Sequence, residues 1–306
     1  MKIATMATGG IGGFLAVRLT QAGHQVAAIA RGDHLRAIAE NGLTLEHGTG
    51  VDTVTPWIAT DDPAEVGEVD AIIFGVKGDA LESAAKACLP MIGEDTVVVP
   101  FLNGVEASER LMQILPAHCV ANGMAQISTT IAAPGVVRQV GDFSRFVFAE
   151  RDSQPSARID ALRAAIKGAG ASAPATNDID RDLWMKFVLF SAVSGVTAAG
   201  RCTIGDILDH PPLADLMRAV IAETAAIGRA RGISLPMTAE ADTWNLVQGL
   251  PRAMRASTAI DLEEGRPLEI EWISGAARRL AAQMDVPAPI NSALYALLLP
   301  HKTGHG

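Results

Sequence analysis

The first nineteen residues, MKIATMATGGIGGFLAVRL, narrow the possible folds more than any other stretch of the chain. Lys2–Met6 reads as a strand, a glycine-rich turn follows, and Gly10–Ala22 has helical spacing. A strand that passes through glycines into a helix presents unpaired amides and a positive dipole end to a phosphate. The glycines of such a turn serve a tight bend, close backbone approach to a pyrophosphate, and close helix–strand packing. Gly9 and Gly12 stand where the second and third of these are needed, but Ala7 replaces the first. Alanine suffices there while its φ stays negative, and that is the expectation for Ala7. Ala7, Thr8, Gly9, Gly10, Ile11 and Gly12 are the expected cradle of a dinucleotide.

The rest of the first half repeats the alternation. Strands are expected at Gln25–Ala30, Thr53–Ala59, Ala71–Val76 and Thr96–Leu102, with helices at His34–Asn41, Ala80–Leu89 and Glu106–Leu115. Apolar strands alternating with helices imply a parallel sheet covered on both faces. From Val120 to Ala149 the pattern turns β-rich, with joints at Pro134-Gly135 and Gly141-Asp142, as for an antiparallel edge to the same sheet. GAGASAPATND (168–178) reads as a helix end and a connection. Beyond it, Ile179–Val196, Pro212–Arg231, Ala239–Leu250, Pro267–Met284 and Ala288–Leu299 have helical periodicity. The expected organisation is an α/β dinucleotide-binding domain of the Rossmann type over 1–177, then an all-α domain over 178–306. The final HKTGHG reads as a frayed tail.

Composition bounds the partners. A formal charge of −9 argues against a nucleic-acid partner, which calls for a basic surface. With 49% hydrophobic and 19% charged residues the chain can bury a large core. No uninterrupted apolar run reaches the ~18 residues of a membrane span, and no leader pattern precedes the first strand. Cys88, Cys119 and Cys202 fit neither a disulfide framework nor a metal site. They read as buried apolar residues of a cytoplasmic protein. No metal is expected.

The end of the second strand points to a particular cofactor. AIARGDH places Arg31 where NAD-binding folds carry an acid for the ribose 2′-hydroxyl, and the first acid is Asp33. A guanidinium there binds a 2′-phosphate with charge-assisted bonds, so the expected cofactor is NADP(H). Lys77, ending AIIFGVK, and Asn103, ending TVVVPFLN, lie at carboxyl ends of expected parallel strands, where ligands bind. Lys77 could be only a solvated strand end and Asn103-Gly104 only a turn, but the two together on strands of one sheet edge favour the functional reading.

Taken in order, the glycine turn followed by ARGDHL, the VK strand end, LNG, LWMKF and STAIDLEEGRPLEI resemble the ketopantoate reductase (2-dehydropantoate 2-reductase) family over nearly the whole chain. The resemblance implies a Rossmann domain, a helical domain, an active site between them, and hydride transfer from NADPH to a 2-oxo acid. It implies that Lys186 of LWMKF is the catalytic lysine and that Asn103 lies near the nicotinamide and the substrate carbonyl. It also implies that Ser257 contacts substrate and that Glu269 of GRPLEI pairs with the lysine or holds cofactor. Without the resemblance, Lys186 reads as flanking an apolar helix face with Trp184, Phe187 and Phe190. Glu269 has Glu263, Glu264 and Glu271 around it as rival carboxylates.

The chain departs from the family beside the lysine. The family's asparagines four and eight residues on are Phe190 and Ser194 here, and a third falls near Ile204. Phe190 and Ser194 are nonetheless the expected substrate-facing positions, with a more apolar substrate implied. A related hydroxy-acid or opine-type dehydrogenase is a second reading, and a non-catalytic NADP(H)-binding sensor or scaffold a third. A homodimer is a further expectation.

Overall fold

The computed structural model describes residues 1–304, which form two compact units. The first comprises Met1–Leu102 with Ala107–Ile179, and the second comprises Asn103–Glu106 with the chain from Asp180 onward. An α/β unit of Rossmann type is thus followed by a helical one.

In the first unit, strands β1 (Lys2–Met6), β2 (Gln25–Ile29), β5 (Ile58–Thr60), β6 (Val69–Phe74) and β7 (Ile92–Pro100) form a five-stranded sheet in the order β5-β2-β1-β6-β7. All its pairings are parallel. The order reverses at β1, whose neighbours β2 and β6 lead away on opposite sides, so the turn after Met6 sits at the topological switch point. Strands β3 (Leu43–His47), β4 (Gly50–Val54), β8 (Asn122–Ala133) and β9 (Val136–Ala149) make a second sheet, ordered β4-β3-β9-β8. Helix α1 (Gly10–Gln21) lies against both sheets: a Cβ on Gly12 would come 2.4 Å from the Ala7 carbonyl oxygen, and one on Gly13 would come 2.6 Å from Val137 Cγ2. Helices α2 (Gly32–Asn41), α3 (Leu81–Ala87), α4 (Ala107–Leu111) and α5 (Ala157–Gly168) complete the unit. Phe101 meets Phe146 and Phe148 edge-on in its core.

Three expectations change here. The 120–149 hairpin belongs to the second sheet, not to an edge of the first. Gly141 lies inside β9 at φ 71, near a register shift, and does not separate two strands. The single strand expected over Thr53–Ala59 is two, β4 and β5, because Pro56 between them has no N–H to give to a ladder. The helix expected over Glu106–Leu115 is shorter, ending at Leu111.

The second unit contains α6 (Ile179–Ala199), α7 (Ile204–Asp209), α8 (Pro211–Ala230), α9 (Ala239–Gly249), α10 (Ser257–Glu263), α11 (Ser274–Gln283) and α12 (Pro289–Leu298). Its core gathers Trp184, Phe187, Val188, Met217, Ile221 and Leu280. Trp184 packs where Gly228 lets α8 come close, since a Cβ there would meet its ring at 2.8 Å. The helix expected over Pro267–Met284 is broken by a 3-10 turn at Ile270–Trp272. Helices α7 and α10 are each too short to carry a periodic pattern. Thr203 and Asp206 nevertheless form a capping box that marks the start of α7. Helix α6 is long and apolar enough to cross a membrane, against expectation, but 67% of that stretch is buried, the condition of a core helix.

The terminal HKTG is held, not frayed. Lys302 Nζ lies 3.0 Å from Glu271 Oε1, and the Leu268 N–H donates to the Lys302 carbonyl. The last two residues of that expected tail lie outside the described residues. Cys88, Cys119 and Cys202 are free and buried.

Candidate functional site

The glycine turn is stranger than the sequence implies. Ala7 has φ 63, in the left-handed region where a Cβ costs roughly 1–2 kcal/mol, so the expected negative φ is overturned. Neighbouring bonds hold the strain. The Thr8 N–H donates to the Ile29 carbonyl at 2.8 Å, and its hydroxyl is shared with the Thr5 hydroxyl at 2.8 Å. The Thr8 carbonyl accepts from His34 Nε2 at 2.7 Å. Thr8 is buried and has no polar group left for a ligand. Gly9, Gly10, Ile11 and Gly12 differ: the first intrahelical bond runs from the Gly13 N–H to the Gly9 carbonyl, so the amides before it are orphans of the helix start. A Cβ on Gly9 would meet only Ile131 Cδ1, at an ordinary contact distance of 3.9 Å. These residues fit a dinucleotide pyrophosphate.

Arg31 is exposed at the carboxyl end of β2, as the residue preceding α2. Asp33, the nearest acid, is paired with Arg36 at 2.7 Å. Lys77 is exposed beyond the end of β6.

Three other predicted residues come together in the helical unit. Lys186 Nζ donates to Asn103 Oδ1 at 3.4 Å, and Asn103 Nδ2 donates to Glu269 Oε2 at 3.4 Å. Both bonds are long and leave room to tighten. Burial pulls the Lys186 ammonium down to about 8, against the opposing pull of Glu269. The rival carboxylates are engaged elsewhere. Glu263 pairs with Arg255, Glu264 with Arg266, and Glu271 with Arg279, Lys302 and the Tyr295 hydroxyl. Glu269 alone of the four reaches Asn103.

Asn103 reaches this cluster because residues 103–106 are held by the helical unit. Gly104, at φ 88, lies so close to Trp272 that a Cβ would come 2.5 Å from its carbonyl oxygen. Val105 packs on the helical core. Glu106 takes Arg279 Nη2 at 2.6 Å. Sequence reasoning missed Glu106 and Arg279, and no motif marks them.

Of the positions expected to face substrate, Phe190 is half-buried, with its ring centroid 5.7 Å from Lys186 Nζ. Ser194 is buried and bonded to the Thr258 hydroxyl at 2.6 Å, so it is committed inside the fold. Ser257 is exposed at the start of α10, and Ile204 is fully buried.

Family models described as ketopantoate reductase PanE/ApbA and its C-terminal part match residues 3–153 and 178–302. The chain belongs to the ketopantoate reductase family. It is therefore an oxidoreductase acting on CH–OH groups, with a nicotinamide dinucleotide and a small-molecule substrate. A 2-dehydropantoate 2-reductase of Mesorhizobium japonicum is 28% identical, over 97% of each chain. The crystal structure of a PanE/ApbA family ketopantoate reductase from Ralstonia eutropha superposes with a TM-score of 0.89 at 30% identity, covering 99% of this chain and 98% of that one. D-mandelate dehydrogenase solved with NADH and anilino(oxo)acetate has the same fold, with a TM-score of 0.89 at 21% identity over 99% of this chain and 98% of that one.

Proposed function

We propose that this ketopantoate reductase family member reduces a 2-oxo acid to a 2-hydroxy acid with NADPH, and that Lys186 is its general acid. The observation that carries the reading is the Lys186–Asn103–Glu269 chain of contacts, with the lysine near neutrality. The glycine-turn residues and Arg31 would hold the dinucleotide, Arg31 by its 2′-phosphate, and the hydride would come from it. Reduction builds negative charge on the carbonyl oxygen. The Lys186 ammonium stabilises that charge and donates the proton that makes it a hydroxyl. Asn103 orients the ammonium through its amide oxygen, and Glu269 fixes the amide through its nitrogen. The substrate side chain meets Phe190, which favours an apolar group over the hydroxyl of ketopantoate.

The test is NADPH oxidation across 2-oxo acids of varied size and polarity, with wild type and Lys186→Ala. Lys186→Ala is expected to lose roughly two or more orders of magnitude in kcat while binding NADPH unchanged. Wild-type inactivity on every 2-oxo acid, or a mutant keeping most of its turnover, overturns the reading.

A further inference from the structure

His34, of the ARGDHL motif, is given no role by the reaction above, yet it makes two bonds of opposite sense. Its Nδ1 accepts from the Gly135 N–H at 2.9 Å, at the turn of the β8–β9 hairpin. That bond leaves Nε2 as the protonated nitrogen, and it donates to the Thr8 carbonyl at 2.7 Å. Gly135 is itself fixed, since its carbonyl accepts from the Thr44 N–H at 2.9 Å. His34 therefore ties the carbonyl before Gly9 to a rigid point on the second sheet.

The consequence follows from peptide geometry. The Thr8–Gly9 peptide is planar and trans, so a carbonyl turned toward His34 turns the Gly9 N–H to the opposite side. Among the described residues that N–H has no hydrogen-bond partner. The turn is also under strain at Ala7, so an unheld peptide has reason to rotate. We propose that His34 is a positioning residue for the cofactor: it holds the Thr8–Gly9 peptide so that the Gly9 N–H faces the pyrophosphate. This rests on the reading of the turn as an NADPH site.

Two substitutions separate the two bonds. In His34→Gln a side-chain N–H stands near the place of Nε2 and keeps the donor to Thr8. In His34→Asn an oxygen stands near the place of Nδ1 and keeps only the acceptor for Gly135. Dissociation constants are read from NADPH fluorescence without substrate, for wild type, both variants and His34→Ala, with thermal melts alongside. A second ligand, adenosine 2′-monophosphate, carries the 2′-phosphate but no pyrophosphate. Asn and Ala are expected to weaken NADPH roughly fivefold to tenfold, the worth of about one hydrogen bond. Gln should stay within about twofold, and the monophosphate should bind all four proteins alike. Unchanged NADPH binding in Asn and Ala overturns the proposal, as does equal weakening of both ligands, which marks a general structural role. A wild type that binds the monophosphate but not NADPH overturns the underlying reading as well. If Ala does not fold, the contrast between Gln and Asn still decides.

Discussion

Lys186 sits four residues before Phe190 on α6, and the two side chains share one face of that helix. As the proposed general acid, the lysine must be protonated to act in the direction of reduction. Its ammonium is held at about 8, so kcat for reduction should be flat at lower pH and fall as pH rises through that value. Oxidation of the 2-hydroxy acid needs the neutral amine and should rise over the same range. Matched pH–rate profiles in both directions check this, and a break that survives in Lys186→Ala places the proton on another group. Phe190 sets a second expectation. Ser194 is bonded to Thr258, so it offers no free hydroxyl to a polar substrate one turn beyond Phe190. Covering the phenyl ring is worth on the order of 1–2 kcal/mol, about tenfold in kcat/KM. An apolar 2-oxo acid should outcompete ketopantoate by that factor, and Phe190→Asn should bring the ratio back toward one. The competition assay is paired with a thermal melt, because a ring that mainly supported the fold would lower Tm and leave the ratio alone.

At the scale of elements, the segment after β7 matters most. Four consecutive residues leave the parallel sheet and join the helical unit, each by a different contact: Asn103 by its amide, Gly104 by its missing Cβ, Val105 by packing, Glu106 by its ion pair with Arg279. Gly104→Ala should cost roughly 2 kcal/mol, since it forces a Cβ into a left-handed residue against the Trp272 carbonyl. Because Asn103 is the adjacent residue, kcat should fall while NADPH affinity holds. Urea denaturation and steady-state kinetics measure the two effects. Lost stability with unchanged kcat would show that the segment does not position Asn103. Part of this was legible in advance. TVVVPFLNG announced a strand ending in a polar residue and a turn, which placed Asn103 at the carboxyl end of a strand. What the segment touches was not legible, because Trp272 and Arg279 lie more than 160 residues away in sequence.

For the molecule as a whole, cofactor binding and stability are linked. A ligand at about a hundred times its Kd adds roughly 2.7 kcal/mol to the folded state. NADPH should therefore raise Tm well above the effect of equimolar NADH. Arg31→Ala should reduce the NADPH shift to the NADH level, an affinity loss of roughly tenfold to a hundredfold for lost charge-assisted bonds. Equal shifts by both nucleotides in the wild type would remove Arg31 from cofactor choice.

Local pattern by itself determined where most of the longer elements lie. The strand, turn and helix at the start, the strands ending in Ile29 and Phe74, and the long helices at Ile179, Pro211, Ala239 and Pro289 each carry a periodicity that survives without partners. Tertiary structure decided the rest. Ala7 takes a left-handed φ because bonds from Ile29 and His34 outweigh its intrinsic preference. The 120–149 hairpin joins a second sheet because its register is set by β3, a strand too polar to stand out on its own. Glu269 becomes the carboxylate at Asn103 because arginines and a lysine from elsewhere in the fold claim the other three. Strand and helix periods are properties of neighbouring residues, whereas strain and charge pairing depend on which distant residues arrive, and only the folded chain brings those together.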